Sequence, residues 1–160
     1  MTSKVGSWSP WSRRACSART DLRRTDPRVS SVSPCPCGLP ASYQSCCARF
    51  HSGAVLAPTA ELLMRARFTA FAVGDAGYLL KSWHPDTRPR NLTLDADQHW
   101  VRLEILGSLN GGLFEVEGSV EFRAHYREGG HSGSLQENSR FVRENGAWLY
   151  VGPLSPVVID

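Results

Sequence analysis

The sequence predicts an α+β fold: short helices packed on a curved antiparallel sheet, preceded by a small cysteine knuckle. Three observations carry that expectation. Four cysteines crowd into residues 35–47, apolar residues recur at helical spacing between Pro58 and Trp83, and from Trp100 onward the period falls to two.

Residues 1–33 stand apart from this plan. They are rich in Ser, Arg and Pro, lack apolar periodicity, and hold seven basic against two acidic side chains. Composition reads them as a disordered basic tail. An organellar transit peptide and an arm for anionic surfaces are the sharper readings of the same residues. The 16 Arg against 2 Lys suggest a GC-rich genome, in which an upstream start codon is easily misassigned.

Residues 34–53 form the knuckle. The pattern is Cys35-x-Cys37, eight residues, then Cys46-Cys47, with His51 four positions on. Thiolates this close suit a soft dication, which takes four S or N ligands at ~2.0–2.3 Å in a tetrahedron. One structural zinc is the expected cofactor, with Cys35, Cys37, Cys46 and Cys47 as ligands and His51 as the alternative fourth. Four protein ligands would leave no open position for water, so the site reads as structural. A buried thiol cluster or a redox pair is the metal-free reading.

Residues 54–153 form the α+β domain. Pro58 suits the first turn of a helix, Glu61 its positive end and Gly74 its stop. Met64, Phe68 and Phe71, with Leu63, make one apolar face, while Arg65 and Thr69 are expected to point away. Asp75 reads as the N-cap of a shorter helix carrying Leu79, Leu80 and Trp83, which Pro85 stops. Val101, Leu103 and Ile105 then alternate with Arg102 and Glu104. After the Asn110-Gly111-Gly112 turn, Phe114, Val116, Val120, Phe122, Ala124 and Tyr126 are assigned to one face of a long strand, bulged at Gly118. Gly129-Gly130 through Gly133 turns the chain. Asn145-Gly146 suits a type I′ hairpin, which sets Phe141 opposite Tyr150 and Val142 opposite Leu149. Residues 154–160 read as a C-terminal tail.

Taken in order, these segments resemble known proteins. Cys35-x-Cys37-x8-Cys46-Cys47 resembles the SEC-C zinc motif, named for the C-terminal tail of the preprotein translocase ATPase SecA. Phe50-His51-Ser52-Gly53, Ala57 through Phe68, Tyr78-Leu79, Trp83-His84-Pro85, Ser139 through Val142 and Asn145 through Tyr150 resemble the YchJ-type bacterial family. That uncharacterised group joins the motif to a nuclear transport factor 2-like (NTF2-like) domain. The resemblance implies that fold, favours Cys47 over His51 as fourth ligand, and implies a protein- or ribosome-facing role for the knuckle. Departures are visible too. Gly38-Leu39-Pro40-Ala41 replaces the family's Gly-Ser-Gly-Lys, Gln136-Glu137 replaces a His-Glu pair, and no second cysteine motif follows.

Function is narrowed further by what the sequence lacks. Residues 34–160 hold 11 basic and 13 acidic groups, so bulk charge and motif give no case for direct nucleic-acid binding. No window approaches the roughly 18 apolar residues of a membrane span, and no secretory signal opens the chain. The expectation is a cytoplasmic binding protein, with the knuckle docking a protein or ribosome-associated partner and a homodimer compatible with the sheet. Tyr43, Arg49 and Phe50 are the expected exposed docking residues. The alternative is a small-molecule enzyme or ligand carrier using a pocket under the sheet. There Glu137 would be the base, with His84, Asp86 or Tyr126 nearby. Against this, Glu137 could simply be satisfied by a hydrogen bond or paired with Arg102, Arg123 or Arg140.

Overall fold

The structure, a computed structural model, describes residues 32–160; the tail reading falls almost wholly outside them. A one-turn helix α1 (Ala48–His51) closes the knuckle. Helix α2 (Ala60–Val73) starts at Thr59, whose hydroxyl accepts from the Leu62 amide at 3.2 Å, and ends at Gly74 with φ 79°. Pro58 therefore precedes the cap instead of entering the first turn. Helix α3 (Ala76–Lys81) begins at Asp75, whose carboxylate accepts from the Tyr78 amide, as the sequence led us to expect.

Strands β1 (His99–Asn110), β2 (Glu117–Glu128), β3 (His131–Glu144) and β4 (Ala147–Pro153) follow as an antiparallel meander in spatial order β1-β2-β3-β4. The residues read as a tail contain β5 (Val158–Ile159), which pairs with Leu135 and Gln136 of β3. Helix α2 packs on β1, β2 and β4, so one face of the curved sheet is covered and the core lies between. Phe68, Leu79, Val120, Phe122 and Phe141 are fully buried there.

The hairpin register holds: Phe141 lies opposite Tyr150 and Val142 opposite Leu149, around Asn145 (φ 50°) and Gly146 (φ 81°). Other local expectations fail for identifiable reasons. In the β1–β2 pairing the bulges sit in β1, between Trp100 and Arg102 and between Ile105 and Gly107, not at Gly118. The first turns Trp100 inward and leaves Val101 half exposed. Phe114 and Val116 do not belong to the buried face. They lie in the turn before β2 and are 95% and 65% exposed. Gly133 is not part of a turn but lies in β3 opposite Tyr126, where a Cβ would meet the tyrosine ring at 2.7 Å.

Gly118 is required by close approach. A Cβ there would lie 2.5 Å from the Gly111 Cα and 2.6 Å from its nitrogen, both backbone atoms. Gly118→Ala is therefore expected to lower stability by about 1–3 kcal/mol through overpacking, read as a lower denaturant midpoint with an unchanged slope. An unchanged midpoint would mean that the β1–β2 turn yields freely.

Thr69 and Arg65, expected on the solvent side of α2, are covered. Thr69 is fully buried and Arg65 half buried, because the knuckle packs on that side of the helix. The helix has two covered faces, one on the sheet and one on the knuckle.

Candidate metal centre

A short loop brings the first two cysteines together. Pro34 and Ser42 form a bridge, the Cys35 amide donates to the Ala41 carbonyl at 2.9 Å, and Gly38 turns with φ 86°. The chain then bends so that Cys46 donates its amide to Tyr43, and Cys47 caps α1 with its backbone already helical. That bend lets two adjacent cysteines face one point.

The four sulfurs lie within 4.8 Å of one another and all four residues are buried. Cys37 and Cys46 Sγ are 3.6 Å apart, Cys46 and Cys47 Sγ 4.0 Å. Thiolates at ~2.3 Å from a tetrahedral zinc would be spaced by ~3.8 Å, so the donor set fits such an ion. Donation from Cys37 and Cys47 holds the Cys35 thiol down; the bond to Cys35 pushes Cys37 up to about 12, opposed by the bond to Cys47, and the bonds to Cys35 and Cys37 push Cys47 up. Successive deprotonations oppose each other, and a bound dication reverses that opposition.

Helix α2 supports the cluster from behind. Arg65 Nη1 donates to the Cys37 carbonyl at 2.7 Å and its Nε to Glu61 at 3.0 Å. Thr69 Oγ1 lies 3.8 Å from Cys35 Sγ. Neither residue was legible as part of the site. His51 has both ring nitrogens engaged, Nε2 with the Ala66 carbonyl at 2.8 Å and Nδ1 with the Tyr43 hydroxyl at 2.9 Å. A carbonyl only accepts, so Nε2 carries the hydrogen and Nδ1 accepts from Tyr43. Burial holds this imidazole below its ordinary pKa, which keeps it neutral. His51 thus pins α1 to α2. Phe50, expected as an exposed docking residue, is buried, because α1 turns it into the seam between knuckle and domain.

Of the other candidates, Glu137 lies under the sheet. Glu137 points inward as the period-two pattern requires and is 2% exposed. Its Oε1 accepts from Ser139 Oγ at 2.7 Å and from Tyr150 Oη at 2.6 Å. The arginines named from sequence pair elsewhere: Arg102 with Glu104, Arg123 with Gln136 and Glu104, Arg140 with Glu117. Arg67, which the apolar pattern hid, is the buried cation. Its guanidinium lies 4.5 Å from the Tyr150 ring centroid and 5.0 Å from that of Trp83, and Nη1 donates to Leu79 O and Ser82 Oγ. Burial pulls Arg67 down to about 10, opposed by Tyr150, Tyr78 and Glu137, so it stays charged at neutral pH. The structure does not gather the remaining candidates around Glu137. His84 bonds Glu144 at 2.9 Å and the Asp86 amide at 3.2 Å, and Tyr126 lies against Trp100. Between Met64, Arg67, Phe71, Phe122 and Tyr150 the space is about 10 Å³, close to the volume one water needs.

Comparison with known proteins now decides the family. The family model described as the middle NTF2-like domain of YchJ matches residues 59–153. The chain belongs to the YchJ family. A UPF0225 protein of Streptomyces coelicolor is 56% identical over 117 residues, covering 73% of this chain and 91% of the relative. One from Corynebacterium glutamicum is 53% identical over 116 residues, covering 72% and 92%. Two solved structures share the fold. A SEC-C motif containing protein from Rhodopseudomonas palustris gives a TM-score of 0.66 at 29% identity, covering 76% of this chain and 98% of that one. Another from Psychrobacter arcticus gives 0.64 at 25% identity, covering 81% and 86%. The chain is thus a YchJ-family protein of bacterial type with a cysteine cluster able to hold a metal ion. No helix among the described residues is long and apolar enough to cross a membrane.

Proposed function

We propose that this YchJ-family chain is a cytoplasmic binding protein that carries one structural zinc on Cys35, Cys37, Cys46 and Cys47, and that its knuckle docks a protein or ribonucleoprotein partner. The observation that carries this reading is the donor set itself: four buried sulfurs converge on one point, which leaves a bound ion no position for substrate. Zinc supplies there a cross-link between segments too short to fold alone, and Arg65, Thr69 and His51 hold that cross-link against α2. The alternative, an enzyme or carrier built around Glu137, finds its carboxylate already bonded to Ser139 and Tyr150.

The exposed part of the knuckle includes Gln44 and Arg49, neither of which contributes a ligand. Arg49 Nε also donates to the Cys46 carbonyl at 3.4 Å, so the Gln44→Glu, Arg49→Glu double variant is first checked for wild-type zinc content and melting temperature. Cross-linking pull-down should then show partners captured by the wild type and lost by the variant. Identical partner sets from both proteins would count against docking through the knuckle.

A further inference from the structure

Between the knuckle and the α+β domain lies a half-open cleft of about 90 Å³. Its floor is made of Phe50, Leu63 and Trp148, all buried, and its rim of Val55 and Leu56, which are 42% and 58% exposed. Trp148 is fixed there by its indole N–H, which donates to the Pro58 carbonyl at 3.2 Å. One wall thus comes from the knuckle and the other from the sheet domain, so the cleft exists only when the two are locked together.

At its mouth stands Lys81, in the last turn of α3. Its ammonium lies over Gly53, where a Cβ would be 3.6 Å away. Lys81 enters none of the ion pairs or side-chain hydrogen bonds among the described residues. An apolar recess with an unpaired cation at its edge is complementary to an apolar group that carries a negative charge beside it.

Size selects the kind of occupant. Cofactor and metabolite sites run to about 300–1,000 Å³, well above this cleft. A recess of this size takes one side chain, as anchor pockets in protein interfaces do. We propose that the cleft is an anchor site for a partner peptide in which an apolar side chain is followed by a carboxylate, the side chain filling the recess and the carboxylate meeting Lys81. This rests on the binding reading above and gives the partner a chemistry.

The test uses the full chain, labelled for amide NMR, and three probes: N-acetyl-Leu-Asp amide, N-acetyl-Leu-Asn amide and N-acetyl-Ala-Asp amide. The expected result is saturable shifts at Gly53, Ala147 and Leu149 with the Leu-Asp probe, at dissociation constants of about 1 mM or weaker for so small a ligand. The other two probes, and the exposed-site variant Lys81→Glu with the first probe, should bind at least about fivefold more weakly, near the upper end for a solvent-exposed ion pair. Absence of shifts at the cleft overturns the proposal, as do equal shifts from the Leu-Asp and Leu-Asn probes. Either failure leaves docking through the knuckle standing or falling on the pull-down with the Gln44/Arg49 variant, whose substituted residues do not line the cleft.

Discussion

Removing the metal from this protein should unfold the knuckle and loosen helix α2 together. Protein purified without chelator is expected to carry one zinc per chain by native mass spectrometry, lost in Cys37→Ser and retained in His51→Ala. The physical reason is that residues 34–47 contribute no helix or strand to the fold and converge on four sulfurs within 4.8 Å. Structural zinc in knuckles of this size contributes apparent binding free energies of about 10–16 kcal/mol at neutral pH. Much of that is spent on ordering the loop, but the remainder is transmitted to α2 through Arg65, Thr69 and His51. Chelation should therefore lower the melting temperature by on the order of 10 °C rather than leave the domain untouched. Acid should act in the same direction. A thiol is not a ligand, so each protonated cysteine competes with the ion, and zinc affinity falls as pH falls. A metal-free preparation that melts at the same temperature as the zinc-loaded one would contradict the cross-link.

Replacing Glu137 by alanine should be the most damaging single change under the sheet. Tyr150 links two buried charges: its hydroxyl donates to Glu137 and its ring faces the Arg67 guanidinium. Burial of a guanidinium is tolerable while a carboxylate shares its surroundings; without that carboxylate the cation is uncompensated. Breaking such a group by deleting one partner typically destabilises by about 3–5 kcal/mol. Glu137→Gln keeps an acceptor for Ser139 and Tyr150 but removes the same charge, so it should lose nearly as much as the alanine variant. Urea unfolding of the two variants gives the comparison directly. Equal losses for Ala and Gln would show that charge, not hydrogen bonding, sets the effect, and no loss for either would remove Glu137 from the stability of the fold.

Both results depend on residues that differ sharply in how readable they were. The four cysteines, the Asp75 cap, the Asn145-Gly146 hairpin and the inward direction of Glu137 all follow from local chemistry. Ligand type and spacing, a short polar side chain before a helix, a residue pair that accepts positive φ and a period of two act over a few residues and need no partner. The sequence by itself therefore determined the four-cysteine cluster, the order of the two longer helices before the antiparallel strands, and the register of the last hairpin.

Tertiary structure decided which surfaces are covered, because burial depends on what folds back from far along the chain. Thr69 and Arg65 read as solvent-facing on a one-sided helix, yet the knuckle, some thirty residues earlier, closes that side. Arg67 falls within an apolar stripe, and only the approach of Trp83 and Tyr150 shows how a buried guanidinium is accommodated. Phe114 and Val116 look apolar enough for a core, but the turn before β2 leaves them with nothing to pack against. The β1 bulges and the return of β5 to β3 are likewise set by pairing partners, not by the residues that bulge or return. A periodic pattern states which side chains share a face; only the assembled chain determines whether that face meets water, the sheet or the knuckle.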